Sequence, residues 1–382
     1  MKQRDFERPS SATFHVVTHV WGREYLDLFL NVRIPNQLAA GNVPALPSGS
    51  RYRILTRSTH VDEIERHPNV RALRELIPVD SVVIADIDRK DGVARRYDLM
   101  VACHRKAVRD ALDAQAALIF LSADVVVSDA TFAHVVRRHQ AGSRAVMVAA
   151  PRIIRERCRH QVGRPIAARE LMRLVPEHLH PMIERQVIDA REFAVDPSAA
   201  LWRVGAEGLL GRYVQLHPLM LDPVQSVLPS CTIDDVYIGD AVPSMRHVHV
   251  VTDSDEIAVI ELTPHSMRGR GARDDRRIER MCRMALIVSE AGPHHRAFWQ
   301  QTIRLHGGPL DRAVWHEAEQ AASRFANRVE ALSRWPMLAR LLLFMSGPAY
   351  RGAGHARRRI RRTRKRLHRA LRIGRHRAGE LL

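Results

Sequence analysis

The chain of 382 residues is short of several things. Aromatic residues make up 5%, so the aromatic-interleaved basic surface of a nucleic-acid module is missing. Its four cysteines, Cys103, Cys158, Cys231 and Cys282, are far apart and none has CxxC spacing. That spacing points to a reducing compartment, with the thiols serving as small apolar residues. Lys is scarce beside Arg, a bias of genome composition rather than of mechanism. Long apolar runs are absent too. The most membrane-like stretch, residues 337–345, is short and contains Arg340, whereas a span needs about 20 apolar residues. The start, MKQRDFERPSSATF, is charged and lacks an apolar signal core, so the expectation is a cytoplasmic protein. No G-x-G-x-x-G follows the first apolar run, and no G-x-x-x-x-G-K-[ST] or G-x-S-x-G occurs. A dinucleotide fingerprint, a P-loop and a hydrolase nucleophile elbow are thereby excluded. Gly205, Gly208 and Gly211, spaced by three, suit a loop or a tightly packed helix.

What is present is a chain able to bury a core. Apolar residues are 46% and charged residues 27%, which allows one large α/β domain with extensions, or two domains. The net charge of +18 is uneven. Residues 351–382 hold thirteen Lys/Arg against Glu380, giving +12, which leaves 18 − 12 = +6 for the rest. Apolar runs at 14–18, 52–56, 81–85, 118–121 and 145–150 read as strands. Between them, 61–65, 99–116 and 131–139 read as helices, the first capped by Ser58 or Thr59 and the last by Ser128-Asp129. Residues 35–50 read as a loop, 151–215 as mostly helical, 216–265 as short apolar runs and 270–345 as helical. Strand–helix alternation predicts a mostly parallel sheet with helices on both faces.

One stretch within this pattern stands out. LIFLSADVVVSD, residues 118–129, splits two apolar runs with Ser122-Ala123-Asp124. Ligands of a parallel α/β sheet bind outside the carboxyl ends of its strands. Asp124 falls just beyond such an end, with the apolar flanks holding the turn and VVV packing beneath it.

That arrangement resembles the Asp-x-Asp region of bacterial GT-A-fold nucleotide-sugar glycosyltransferases, with Ser122 in place of the first Asp. The resemblance covers residues 14–265. It implies a GT-A-like, Rossmann-like α/β fold and transfer of a sugar from a nucleotide-sugar donor to an acceptor in a surface polysaccharide or related glycan, free or lipid-linked. It implies a donor site in which Asp124, beside Ser122, holds a divalent cation, Mn²⁺ or Mg²⁺, on the donor diphosphate. Thr18, Trp21, Tyr25 and Thr56 would line the nucleotide pocket, and Arg105 would lie near the diphosphate. On the acceptor side, LHPLMLDP and CTIDDVYIGD present His217, Asp234 and Asp235 as catalytic candidates. The two aspartates are adjacent, so on a strand only one of them could face the site as general base.

His247 and His249 stand at i and i+2, on one face if the segment is a strand. They are candidates to complete the cation site with Asp124. The acidic run 252–256 reads as a turn and His294-His295 as structural. The expected organisation is a catalytic domain over 1–268, a helical region over 269–346 and a basic tail over 347–382. In the tail, Ile360, Leu367, Ala370 and Leu371 share a helical stripe amid positive charge. The segment suits an anionic membrane surface, with peripheral association, or less readily nucleic acid. Two other functions stay open, a non-enzymatic nucleic-acid binder using the tail and a His/Asp metal-dependent hydrolase.

Overall fold

The computed structural model describes residues 13–84, 93–224, 227–269 and 271–346. Its centre is a seven-stranded sheet built from β1 (Phe14–Val20), β2 (Arg51–Thr56), β3 (Val79–Val83), β4 (Ala117–Phe120), β5 (Ala145–Val148), β6 (His217–Leu221) and β7 (Val248–Val250). The spatial order is β7-β5-β6-β4-β1-β2-β3. β1 pairs in parallel with β2 and β4, β2 with β3, and β5 with β7. Only β6 is inverted, running antiparallel to β4 and β5. This is the mostly parallel α/β sheet, flanked by helices, that the alternation of runs predicts.

The continuous apolar runs follow from burial on both faces. Leu118 and Phe120 of β4 join Ala145 and Met147 of β5 in one core, while Ala117, Ile119, Val146 and Val148 belong to the core on the other face. Helix Val93–Asp113 supplies Cys103, Ala107, Val108 and Ala111 to the first of these cores.

Four local expectations are corrected. Val125–Val127 is not a run packed beneath the turn. It is a strand of a second sheet, antiparallel to Val259–Thr263, which in turn pairs in parallel with Arg152–Ile154. The helix Ser58–Arg66 begins after Arg57 with no side-chain cap. Asp129 and Ser128 do not cap helix Thr131–Gln140 either, since the preceding residue is Ala130 with φ 63°. Asp129 instead accepts from the Gly41 and Ala130 amides. Residues 151–215 are less helical than expected, because Ala199–Val204 and Gly208–Tyr213 form an antiparallel hairpin joined by Ile303–His306. Gly205, at φ +58°, makes its turn. Gly208 and Gly211 therefore lie in a strand, and a Cβ on Gly208 would collide with the Val204 carbonyl.

Helix Arg312–Ser333 packs against this hairpin, and helices Arg277–Glu290 and Pro336–Ser346 pack on that helix and on each other, in a core with Trp202, Leu210, Cys282, Trp299 and Phe325. None of the four cysteines forms a disulfide, and Cys103, Cys158 and Cys282 are buried. Among the described residues no helix is long and apolar enough to cross a membrane. The basic tail, 351–382, lies outside the described residues.

Candidate functional site

Chain direction decides what meets at one edge of the sheet. β1 and β4 are parallel neighbours, so His19 and the turn Ser122-Ala123-Asp124 emerge at the same carboxyl edge. β6 is inverted, so its first residue, His217, arrives there too. The His217 Nε2–H donates to the Phe120 carbonyl at 3.0 Å, which leaves Nδ1 with its lone pair free to accept a proton. Helix Val93–Asp113 brings His104, whose Nδ1 accepts from the Ile233 amide at 3.3 Å. That bond ties down the helical turn Ile233–Tyr237, which carries Asp234 and Asp235. The second sheet adds Glu261, directly opposite Val125 and so beside Asp124.

The turn at Asp124 is held from three sides. Ser122 Oγ donates to Asp124 Oδ1 at 2.7 Å. The Leu262 amide donates to the Asp124 carbonyl at 2.8 Å. Arg33, fully buried, donates its Nη1 to the carbonyls of Leu121 (3.1 Å) and Ser122 (3.0 Å). Its Nε and Nη2 have no hydrogen-bond partner among the described residues. Burial lowers the Arg33 pKa, against the opposing pull of Tyr52 and Asp124.

The electrostatics are those of crowded acids among neutral imidazoles. Glu261 is pushed up to about 8 by burial and then by the charges of Asp124 and Asp234, against the pull of Arg152. Arg152 Nη2 lies 3.0 Å from the Glu261 carboxylate. Tyr25 is raised by burial and then by the charges of Asp124 and Glu261, which act on its hydroxyl. Burial pushes His19 and His104 down to about 3 and lowers His217 as well. The three rings are thus uncharged at neutral pH and act as hydrogen-bonding groups. His19 and His104 stack edge to face at 5.2 Å, and His104 meets Phe120 the same way at 5.6 Å.

Asp124, Ser122, Tyr25, His217 and Asp234 are therefore brought together. Asp234 and Asp235 lie on a helical turn rather than a strand, and it is Asp234 whose field reaches His19, His217 and Glu261. Asp235 has the non-helical angles φ −92°, ψ −113°. Trp21 is half-buried, its ring 5.3 Å from that of His19. Thr18 and Thr56 are fully buried. Thr18 Oγ1 is 3.3 Å from the Tyr52 hydroxyl, and Thr56 Oγ1 donates to the Val20 carbonyl at 2.8 Å. Both hydroxyls thus tie strands together instead of facing a pocket. Arg105 is exposed, because the inward position of that helix belongs to His104.

His247 and His249 are separated from Asp124. His247 ends a short helical turn, Met245–His247, at the amino edge of the sheet, where its carbonyl accepts from the Arg144 amide. His249 is level with Val146, hence with Met220 and Ile119. It lies three strands from β4, about 14 Å at the usual spacing. Its Nε2 is 2.9 Å from Glu256. His294 is structural, 2.8 Å from the Val242 carbonyl.

A different group could hold a cation. Asp253, Asp255 and His306 present donor atoms within 4.8 Å of one another. They fit an ion-pair network better than a metal. Arg169 binds both oxygens of Asp255, at 2.9 and 2.8 Å. His306 is raised by its hydrogen bond to Asp253, which outweighs burial, so its protonated form is favoured.

The sequence reading passed over Glu261, His19, His104 and Arg33. For Glu261 a signal existed, since it ends the apolar run IAVIE as Asp124 follows LIFL. Arg33 gave none, being one arginine among many.

No family model matches the chain, and no curated protein matches it. Among solved structures it is similar to a mannosyltransferase from Pyrobaculum calidifontis in complex with GDP-Man and Mn²⁺. The identity is 12%, over 87% of this chain and 91% of that one, at a TM-score of 0.28. A likeness at that score carries no assignment.

Proposed function

We propose that this protein is a glycosyltransferase that moves a sugar from a nucleotide-sugar donor to a glycan or lipid-linked acceptor. The observation that carries this reading is the convergence of Asp124, Asp234 and Glu261 with neutral His217 at the carboxyl edge of a GT-A-like sheet. A sugar-diphosphate donor needs positive charge on its leaving group and a base for the acceptor hydroxyl.

The carboxylates fit a divalent cation. Asp124 and Glu261 are neighbours across the second sheet, and Glu261 is pushed up by burial and then by the charges of Asp124 and Asp234, a repulsion that a doubly charged ion would relieve. Asp124 and Glu261 would hold the ion, which when bound neutralises the departing diphosphate. Arg152, paired with Glu261, and Arg155, largely buried and 3.1 Å from Glu24, add positive charge on the same side. Asp234 takes the proton of the acceptor hydroxyl. His217, anchored through Nε2, offers its Nδ1 lone pair to a donor or acceptor hydroxyl. Trp21 and Tyr25 line the donor side.

The test is ligand-dependent stabilisation. UDP, GDP, CDP and their sugars are added with and without Mn²⁺, to the native protein and to Asp124→Ala. A ligand that binds only the folded chain raises its melting temperature by mass action. The reading expects one nucleotide to stabilise, with a shift that needs Mn²⁺ and Asp124. If no nucleotide shifts the native protein, the transferase reading is wrong.

A further inference from the structure

The last described helix turns an apolar face to solvent. In Pro336–Ser346, Ala339 and Leu343 point into the core formed with helices Arg277–Glu290 and Arg312–Ser333. The other side carries Met337 (72% exposed), Phe344 (70%) and Met345 (74%), together with exposed Leu338 and Leu341. Trp335, just before the helix, is 67% exposed. Positions 337, 341, 344 and 345 follow i, i+4, i+7 and i+8, so they form one stripe. Isolated exposed apolar residues need no explanation, but a stripe of large ones ending in Trp and Phe does.

We propose that this stripe is a membrane-docking face which inserts into the headgroup region of an anionic bilayer, with the adjoining basic sequence held on the lipid charge. Charge complementarity identifies the occupant. Five residues beyond Ser346 begins the segment 351–382, with thirteen Lys/Arg against one Glu. Each basic residue close to an anionic surface contributes about 1 kcal/mol. Neither half suffices by itself. Exposed Met and Phe side chains bury few CH₂ groups, and a basic segment alone is screened by salt. Adjacent in the chain, they act as two linked anchors, and Trp335 belongs chemically at the polar–apolar boundary. A second copy is a poor occupant of the same face, because it would bring two segments of +12 together. This inference does not depend on the transferase reading.

The experiment is vesicle co-sedimentation of the full chain. The vesicles are pure phosphatidylcholine, or phosphatidylcholine with about one third phosphatidylglycerol, close to the anionic surfaces for which such anchors are described. The expected result is binding to the anionic vesicles alone. A Met337→Ser/Phe344→Ser/Met345→Ser variant should bind at least tenfold more weakly at physiological salt with little change in melting temperature, since these side chains are mostly exposed and Met337 loses only a surface contact with Arg340. Trp335 emission, isolated by difference from Trp335→Phe, should shift to the blue with anionic vesicles. Three results overturn the proposal. In one, the triple variant binds as the native protein does, so that charge alone acts. In another, vesicles do not bind while a nucleic acid does. In the third, the triple substitution dissociates a dimer and leaves lipid binding unchanged.

Discussion

Ser122 Oγ donates a 2.7 Å hydrogen bond to Asp124 Oδ1. The residue that stands where an Asp-x-Asp pattern has its first acid thus orients the second one. A hydrogen bond to a charged acceptor is worth about 1.5–3 kcal/mol. Ser122→Ala should therefore weaken donor binding roughly ten- to a hundredfold on that scale. Asp124→Asn should abolish transfer. Titration calorimetry with the donor checks both, and an unaltered donor affinity in Ser122→Ala would remove Ser122 from the site.

Arg33 holds the same turn from beneath, through the carbonyls of Leu121 and Ser122. Arg33→Ala removes both bonds and opens a cavity in the core. It should destabilise the protein by about 3–5 kcal/mol, the scale on which buried charge networks are disrupted, as read by urea unfolding. A loss below about 1 kcal/mol, the scale of a single exposed contact, would mean that the turn stands without it.

Glu261 makes the site costly to fold at neutral pH. Its folded pKa, about 8, lies above the ordinary 4.5. The stability linked to its proton is fully present below 4.5 and is lost as pH rises toward 8, because the unfolded chain ionises first. In Glu261→Gln this slope should vanish. The variant should melt higher than the native protein at pH 8 and transfer no sugar, a trade of function against stability. Melting curves from pH 5 to 9 provide the comparison. A variant that melts lower than native at pH 8 contradicts the assignment.

Glu256 titrates with the opposite sign. Burial would raise it, but hydrogen bonds from His249 and Arg138 outweigh burial and hold it down to about 2. Its contribution is present above 4.5 and is lost as pH falls toward 2. Glu256→Gln should lower stability at pH 7 and flatten the acid limb between pH 4.5 and 2. His249→Ala should reproduce part of this loss without affecting donor binding, because His249 is three strands away from β4.

Much of the fold was legible because both sheet faces are buried, which writes each central strand as an apolar run. The runs at 14–18, 52–56 and 145–150 all became strands, and Leu118–Leu121 led to the turn at Asp124. The hairpin Ala199–Val204 and Gly208–Tyr213 was not legible. Its third strand, Ile303–His306, lies about ninety residues onward, and local pattern carries no information about a partner that distant.

The site divides in the same way. By itself the sequence determined that an acid follows a buried strand, and this marks Asp124 on local grounds. Which other groups join it was decided by chain direction and pairing register. Inversion of β6 puts His217 beside the Phe120 carbonyl, and pairing in the second sheet puts Glu261 opposite Val125. Parallel register carries His249 to the level of Ile119, away from Asp124. A spacing of two in sequence says that two histidines share a face if they lie on one strand. Only the tertiary structure says which edge of the sheet that strand begins from.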